Sequence, residues 1–421
     1  MLKKAVLFLF ISLCLLSCKT TKITRTLNKK IATSFFENQF TGIYIYDVTK
    51  DKVVYNYQGE KYFTPASNVK IFTLFTGLEM LSDSIPAFKY EVNKDTITVK
   101  GTGDPTLFHN YFKDSTALKK VQKFKNVQLI TDNISDKRYA PGWAWEDFDS
   151  YFSAERSTFP VYGNVITIKN ENQLEVSPKY FEDKLEITQK GYGRKEYVNS
   201  FYFGKNRTRE TEIPMIMSDS LLLNLWNAIL PNKVSIIKNA KASLSKTAYS
   251  VSSDSLFKRM MEVSDNFLAE QILIIASSTL SDTLSSSKAR KFILENQLKN
   301  LQQKPRWVDG SGLSRYNLFT PISFVDVLTK MYKKIPEERL FQFFPVGGKT
   351  GTLKSWFAGN PTPYIYAKSG TLGNNYNLSG YLLTNSGKTL VFSYMNNHFM
   401  QSNTEIKNKM ETVFEDLRDH Y

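Results

Sequence analysis

The sequence predicts a mixed α/β fold in which one α/β domain is split by a β-rich insertion. A β-hairpin pattern and an apolar helical pattern come first, short strand-like segments fill the middle, and helices with two late strands close the chain. A chain of 421 residues is also too long for one ordinary core. We expect the split domain over residues 36–90 and 246–421 and the insertion over 91–245, since exposed loops tolerate insertions.

The N-terminus has the pattern of an export signal. Two lysines precede an apolar run, residues 5–16, that is too short to anchor a helix across a bilayer. The run ends in Leu-Leu-Ser-Cys, which resembles a bacterial lipobox with Cys18 as the lipid-bearing residue. A plain signal peptide with an incidental Cys18 is the alternative. We favour a lipoprotein signal over residues 1–18, followed by a polar, basic tether over 19–35.

Composition excludes several classes of function. The only other cysteine lies inside the signal, so the mature chain has no thiol for catalysis or for metal binding. None of the three histidines has a partner at metal-ligand spacing, and no glycine-rich phosphate loop is present, so we predict no metal and no cofactor. A net charge of +15 favours anionic partners, but scattered solvated lysines explain it equally well. Export and the lack of a binding motif argue against nucleic acid.

The elements follow from hydrophobic periodicity along the chain. Alternating β-formers predict a hairpin over residues 42–57, and Pro65 precedes an apolar pattern that predicts a helix over 67–81. In the insertion, strands are expected at 96–99, 127–130 and 165–168. Beyond it, helices are expected at 254–276, 284–303, 321–334 and 401–419, and adjacent strands at 380–384 and 390–395.

A serine and a lysine are the candidate catalytic pair. A serine hydroxyl is a poor nucleophile until a base takes its proton, and lysine becomes such a base when burial lowers its pKa. Ser-x-x-Lys puts both side chains one turn apart on one helix face. The motif starts at Ser67, Ser235, Ser243, Ser255 and Ser285.

Only the first of these follows a hairpin and opens an apolar helix, whose N-terminus adds positive potential at Ser67. We therefore predict Ser67 as the nucleophile and Lys70 as its base. The alternative is an N-cap serine with an exposed lysine.

Two further elements follow in chain order. Ser264-Asp265-Asn266 supplies a second hydroxyl and an amide. The third element is either Lys349-Thr350-Gly351 or Lys368-Ser369-Gly370-Thr371. We favour the second, because a strand-like run precedes it and two strands follow, whereas Lys349 follows two glycines as in a loop. Gly370 would let substrate or backbone approach closely.

With these motifs the sequence resembles the class C low-molecular-mass penicillin-binding proteins, the D-Ala-D-Ala carboxypeptidase/endopeptidase family. The resemblance spans nearly the whole mature chain and also rests on residues 101–107, 141–147, 309–317 and 367–381. It implies a penicillin-binding transpeptidase/β-lactamase-like domain, with inserted domains between the first and second motifs. Ser369 stands where the family more often has Thr, and Lys349 has no explanation in the family pattern.

The resemblance implies a serine-type D-Ala-D-Ala carboxypeptidase/DD-endopeptidase that acts on peptidoglycan stem peptides through a Ser67 acyl-enzyme and is inhibited by β-lactams. Backbone N–H groups of Ser67 and Thr371 would form the oxyanion hole. Ser264 would relay a proton to the leaving amine and Asn266 would orient the peptide. Lys368 and Ser369 would hold the terminal carboxylate.

The resemblance also implies a pocket for the dibasic residue of the peptide. Asp147 would meet its amine, Arg315 its carboxylate, and Leu372 would line the wall. An ordinary loop acid, a surface arginine and a strand core residue are equally good interpretations of these three residues.

Two other functions remain open. A serine β-lactamase shares the chemistry, although its motifs usually lie much closer together in the chain than Ser67 and Ser264 do here. A non-catalytic wall-binding lipoprotein could retain the fold. For each function we expect an exported, periplasmic lipoprotein attached through its N-terminal lipid, with the outer membrane favoured over the inner.

Overall fold

The computed structural model describes residues 22–238 and 244–421. The predicted signal peptide and Cys18 lie outside these described residues. Within them, no helix combines the length and the apolar character needed to cross a membrane.

Ten α-helices are described in these two ranges. They are 22–31 (α1), Lys70–Met80 (α2), Thr116–Val121 (α3), Asp219–Ile229 (α4), Ser253–Glu262 (α5), Asn266–Ser277 (α6), Ser286–Glu295 (α7), Pro321–Lys334 (α8), Glu337–Phe341 (α9) and Asn403–His420 (α10).

The strands of the same ranges are labelled in chain order. They are Phe40–Asp47 (β1), Lys52–Tyr57 (β2), Ser84–Asn93 (β3), Thr96–Gly101 (β4), Asn126–Ile130 (β5), Val165–Asn170 (β6), Leu174–Ser177 (β7), Leu185–Thr188 (β8), Tyr192–Arg194 (β9), Phe201–Gly204 (β10), Thr211–Pro214 (β11), Lys233–Ile237 (β12), Lys246–Ser252 (β13), Ile365–Leu372 (β14), Asn375–Leu383 (β15) and Thr389–Asn397 (β16).

One antiparallel sheet organises the two ends of the chain. Its order is β14-β15-β16-β1-β2, so the N-terminal hairpin pairs directly with the late strands. Residues of α2, α6 and α8 form a buried apolar cluster with Tyr381, Val391 and Met395 of this sheet. Alternate strand residues, such as Ile43 and Phe392, enter a second cluster with α1 and α10. The mixed α/β fold is confirmed, and the predicted hairpin and adjacent late strands are present.

The middle of the chain forms separate sheets around its own core. A second five-stranded sheet has the order β12-β5-β4-β3-β13, and two three-stranded sheets accompany it. Phe181, Phe203 and Trp226 are buried in the apolar cluster of this region. Its sheet extends past both predicted limits, 91 and 245, because β3 pairs with β13 from the far side of the insertion.

The N-terminal stretch differs from the predicted tether in its described part. Residues 22–31 form α1, in which Ile23, Leu27 and Ile31 are buried against the sheet. Their spacing of four residues makes an apolar stripe on one helix face, which a reading by composition alone overlooks. This corrects the tether prediction for residues 22–31.

Three predicted helices are shorter in the structure. The helix expected over 67–81 is α2, which runs only from Lys70 to Met80. The expected helix over 254–276 is broken into α5 and α6, because Ser264 adopts a left-handed conformation with φ of 61°. Asp265 then caps α6 by accepting a hydrogen bond from the Leu268 N–H at 2.9 Å. The helix expected over 284–303 is α7, which ends at Glu295.

Candidate active site

Ser67 lies in a short 3₁₀ turn, Ala66–Val69, that leads into α2. Asn68 fixes this turn to the sheet, because its Nδ2 donates to Ser379 Oγ at 2.8 Å. A Cβ atom on Gly370 would lie 2.5 Å from the Pro65 carbonyl oxygen, so only glycine lets β14 approach the turn this closely. The nucleophile candidate is thereby held against the strand that carries the third motif.

Lys70 lies beneath Ser67 and is completely buried. Its Nζ donates hydrogen bonds to Ser67 Oγ at 3.0 Å, Asn266 Oδ1 at 2.6 Å and the Ser311 carbonyl oxygen at 2.8 Å. Burial lowers the pKa of Lys70 to about 8, and nearby carboxylates oppose this shift without cancelling it. An amine with this pKa is partly neutral near neutral pH and can accept a proton from Ser67.

A buried acidic frame positions the loop that holds Lys70. Glu270 Oε1 accepts hydrogen bonds from the N–H groups of Gly310 and Ser311 at 2.9 and 2.8 Å. Asp309 accepts from the N–H groups of Gly312 and Ser314 in the same loop. These contacts fix the carbonyl oxygen of Ser311, which in turn orients the Lys70 amine.

The second and third motifs meet on the other side of Ser67. Lys368 Nζ donates to Ser264 Oγ at 2.9 Å and to the Ser369 carbonyl oxygen at 2.6 Å. Burial lowers the pKa of Lys368 well below its usual range, and the charge of Lys70 lowers it further. The left-handed break at Ser264 separates α5 from α6 and leaves its hydroxyl facing this lysine.

A cleft of about 390 Å³ opens over these residues. Ser369 lines it and donates a hydrogen bond from its Oγ to Thr352 Oγ1 at 2.8 Å. The residues that line the cleft are Ser67, Tyr151, Phe152, Val263, Ser264, Asn266, Gly312, Leu313, Thr352, Ser369, Thr371, Leu372, Tyr376 and Lys407.

The structure brings most of the predicted site residues together. Ser67, Ser264, Asn266, Ser369, Thr371 and Leu372 line the cleft, while Lys70, Lys368 and Gly370 lie directly behind them. Asp147 and Arg315 are not among the lining residues. Their segments adjoin each other, because the Arg315 N–H donates a hydrogen bond to the Gly142 carbonyl oxygen at 3.4 Å and Trp143 Nε1 donates to Asp309 Oδ2 at 2.9 Å. Burial and the charge of Glu146 raise the pKa of Asp147, and the charge of Arg315 opposes this rise.

The alternative third motif lies outside the cleft. Lys349 is exposed, and Thr350 Oγ1 accepts a hydrogen bond from the N–H of Val346 within its own turn. The neighbouring Thr352 nevertheless reaches Ser369, so this loop borders the site through a residue that the sequence interpretation passed over.

Other residues of the site were also missed. Glu270 is a fully buried acid one helical turn after Asn266, and its place in an apolar helix is the signal that could have identified it. Asp309 belongs to the segment 309–317, on which the family resemblance rests, but that resemblance predicts no role for it. The sequence around Lys407 and Tyr376 contains no catalytic motif, so it gives no indication that these residues line the cleft.

Comparison with protein families gives one match over most of the chain. The model of the D-Ala-D-Ala carboxypeptidase 3 (S13) family matches residues 23–192 and 230–417.

Individual relatives agree with this match. The chain is 25% identical over 419 residues to penicillin-sensitive carboxypeptidase A of Dictyostelium discoideum, covering 82% of this chain and 80% of that protein. It is 24% identical over 445 residues to D-alanyl-D-alanine carboxypeptidase DacB of Haemophilus influenzae, covering 91% of each.

Solved structures share the fold. The crystal structure of penicillin-binding protein 4 from Haemophilus influenzae matches with a TM-score of 0.72 and 19% identity, covering 95% of this chain and 99% of that one. A penicillin G-acylated predatory endopeptidase from Bdellovibrio bacteriovorus matches with a TM-score of 0.51 and 15% identity, covering 90% and 93%.

Proposed function

Since the chain belongs to the D-Ala-D-Ala carboxypeptidase 3 (S13) family, we propose that it hydrolyses peptidoglycan peptides that end in D-Ala-D-Ala, through an acyl-enzyme on Ser67. One observation carries the proposal: the buried amine of Lys70 lies 3.0 Å from Ser67 Oγ at the base of an open cleft. D-Ala-linked cross-bridges are a second substrate of the same chemistry.

Acylation uses the hydroxyl and amine in one step. Ser67 Oγ attacks the carbonyl carbon of the penultimate D-Ala while Lys70 Nζ takes its proton. The backbone N–H groups of Ser67 and Thr371 stabilise the oxyanion, a contribution worth about 10²–10³ in rate for a single donor. The close contact of Gly370 with the Ser67 turn supports this pairing of donors.

The acyl-enzyme then forms and is hydrolysed. The amide C–N bond breaks, and the leaving amine of the terminal D-Ala receives a proton through Ser264, which contacts Lys368. Asn266, bonded to Lys70 and to the Phe152 carbonyl oxygen, orients the acyl peptide. Water cleaves the ester and regenerates Ser67. A β-lactam acylates Ser67 in the same way, but the resulting ester is hydrolysed slowly.

The pocket for the peptide's dibasic residue is part of the proposal. Asp147 and Arg315 are assigned to its amine and carboxylate, and Leu372 to its wall. The contact between their segments, in which the Arg315 N–H donates to the Gly142 carbonyl oxygen at 3.4 Å, supports a shared subsite. Tyr151 and Phe152, which follow Asp147 in the chain, line the cleft and so connect the Asp147 segment to it.

The decisive experiment is intact-mass analysis after exposure to penicillin, with wild-type protein and Ser67→Ala. We expect one stoichiometric adduct on the wild type and none on Ser67→Ala. Ser255→Ala is the matched control, because Ser255 also opens a Ser-x-x-Lys sequence but is exposed and outside the cleft.

Three results would count against the proposal. A persistent adduct on Ser67→Ala removes Ser67 from its role. Rapid multiple turnover of nitrocefin favours a β-lactamase, and an unlabelled wild type at high protein concentration favours a non-catalytic wall-binding protein.

We also propose that the chain is a periplasmic lipoprotein anchored through Cys18, with the outer membrane favoured. The apolar run that ends at Cys18 supports this. Labelling of cells with a radioactive fatty acid should mark the wild type and leave Cys18→Ser unmarked. Equal labelling of both would refute the anchor.

A further inference from the structure

The cleft has one charged side chain among its described lining residues, Lys407. The other lining residues are apolar, hydroxyl-bearing or amide-bearing, and none of the described ones is acidic. Such a cleft favours an anion over a cation on electrostatic grounds. Lys407 comes from α10, the last described element, and none of the three sequence motifs includes it.

Two aromatic rings hold the Lys407 ammonium in place. Its Nζ lies 4.6 Å from the ring centroid of Trp356 and 5.0 Å from that of Tyr376. Cation–π attraction therefore restrains the side chain without neutralising it. No ion pair within residues 22–238 and 244–421 involves Lys407. Lys407 thus lines the cleft without a carboxylate partner from the described chain.

Lys368 is the other lysine that could meet an anionic group, but its surroundings differ. It is fully buried behind the cleft wall, and two of its hydrogen bonds go to Ser264 and to the carbonyl oxygen of Ser369. Burial and the neighbouring Lys70 both disfavour its charged form. Lys368 is therefore held by the protein's own oxygens, whereas Lys407 lines the cleft itself, although burial lowers its pKa too.

We propose that Lys407 is a specificity-determining residue that binds the C-terminal carboxylate of the substrate, beside the hydroxyls of Ser369 and Thr371. This rests on the proposed peptidase function. The terminal carboxylate belongs to the leaving D-Ala, and Ser369 and Thr371 line the same cleft as Lys407. A charge-assisted hydrogen bond to a restrained ammonium is stronger than one to a neutral hydroxyl. Lys407 thereby selects peptides with a free C-terminus.

The test uses two peptides that differ only in charge: an acetylated peptide ending in D-Ala-D-Ala and the same peptide as its C-terminal carboxamide. The wild type should prefer the free acid in kcat/KM. In Lys407→Met we expect this preference to fall by about five- to tenfold. The change should appear mainly in KM, because a carboxylate contact is made in both ground state and transition state.

Matched variants separate charge from packing. Lys407→Arg keeps the positive charge and should retain most of the preference. Lys409→Met removes one charge from the same helix, at an exposed residue whose Nζ lies over the ring of Phe35 and not in the cleft. This control should match the wild type.

The outcomes distinguish the two proposals. A wild type that hydrolyses neither peptide contradicts the peptidase function itself. If the wild type prefers the free acid and Lys407→Met shows the same preference, Lys407 does not have the proposed role. If thermal melting shows that Lys407→Met is unfolded, Lys407→Gln and the salt dependence of the wild-type preference decide, since added salt should weaken an ammonium–carboxylate contact.

Discussion

At the scale of single residues, the proposed chemistry depends on two lysine amines that are buried away from solvent. Lys70 and Lys368 are each completely buried, and each gives hydrogen bonds to a serine hydroxyl. Burial favours the neutral form of an amine, which is the form that can accept a proton. Carboxylates of Asp265, Asp309 and Glu270 oppose this effect, so the pKa of Lys70 is lowered only to about 8.

This pKa predicts a pH dependence of acylation. A lysine whose pKa is lowered to about 8 gains its neutral form as pH rises toward that value. The rate constant for acylation by penicillin should therefore rise about tenfold per pH unit below about pH 8 and level off above it. Stopped-flow measurement with a fluorescent penicillin would check this.

Lys70→Arg is the control for this profile. A guanidinium group keeps its proton throughout the range, so we expect a loss of at least about 10² in the acylation rate. A wild-type rate that does not change between neutral and mildly alkaline pH would exclude Lys70 as the titrating base.

At the scale of elements, the site is the contact between the Ser67 turn and strand β14. Asn68 bonds to Ser379 across this contact, and Gly370 lies against the turn. The turn and the strand are distant in sequence, but the β1–β16 pairing brings their segments into one sheet. A small change in the distance between the turn and the strand would misplace the oxyanion donors, whose stabilising effect depends on their geometry.

A substitution at Gly370 tests whether this close contact between strand and turn is required. In Gly370→Ala the added methyl group would lie 2.5 Å from the Pro65 carbonyl oxygen and 2.9 Å from the Asn68 nitrogen, so strand and turn must separate. We expect acylation by penicillin to slow by about 10² or more. Gly373→Ala, in the turn after β14, is the control, because its Cβ would meet nothing within 4 Å. Equal rates for both variants would contradict the requirement for close contact.

Helix α1 makes a separate prediction about stability. Leu27 is fully buried in the cluster between α1, α10 and the sheet. Leu27→Ala should lower the free energy of unfolding by about 2–5 kcal/mol. Urea unfolding measured by circular dichroism would show this, with the exposed Lys29→Ala as the control. A loss as small as that of the control would mean that α1 does not contribute to the fold.

At the scale of the whole molecule, the inserted region and the α/β region share a buried ionic contact. Arg156 follows the second sheet's strand β5, and its Nη1 lies 3.4 Å from Asp136 and 3.5 Å from Glu270 of α6. Glu270 also orders the loop that holds Lys70. A group in the insertion therefore stabilises the acid that supports the catalytic pair.

Removing Arg156 should destabilise the protein. Arg156→Ala leaves the buried Glu270 without its cation, which should cost about 3–5 kcal/mol of unfolding free energy at pH 8. Burial raises the pKa of Glu270 to about 7, so at lower pH the acid is protonated and needs no cation. The loss should accordingly be smaller at about pH 5 than at about pH 8.

Arg138→Ala is the matched control, because the side chain of Arg138 is 56% exposed and its Nη1 lies 3.6 Å from Glu155 Oε1, a longer ion-pair distance than either of those of Arg156. Urea unfolding at both pH values would check the difference. An Arg156→Ala loss that does not depend on pH would show that Glu270 is not its main partner.

The sequence by itself determined the features that depend on local spacing. The hairpin, α2, α8 and the late strands follow from periodicity, and the pairing of Ser67 with Lys70 follows from three residues of helical separation. The broken helix at Ser264 and the docked helix α1 were predicted less well, since a single left-handed residue and a short apolar stripe are weak signals.

Only the tertiary structure decided which distant residues share the cleft. It buried Lys368 against Ser264 and left Lys349 exposed, although both stand in similar motifs. It also brought Thr352 and Lys407 to the same wall. The physical reason is that hydrogen bonds within a helix are set by neighbours in sequence, whereas burial, and with it the pKa of an amine, is set by the packing of segments far apart in the chain.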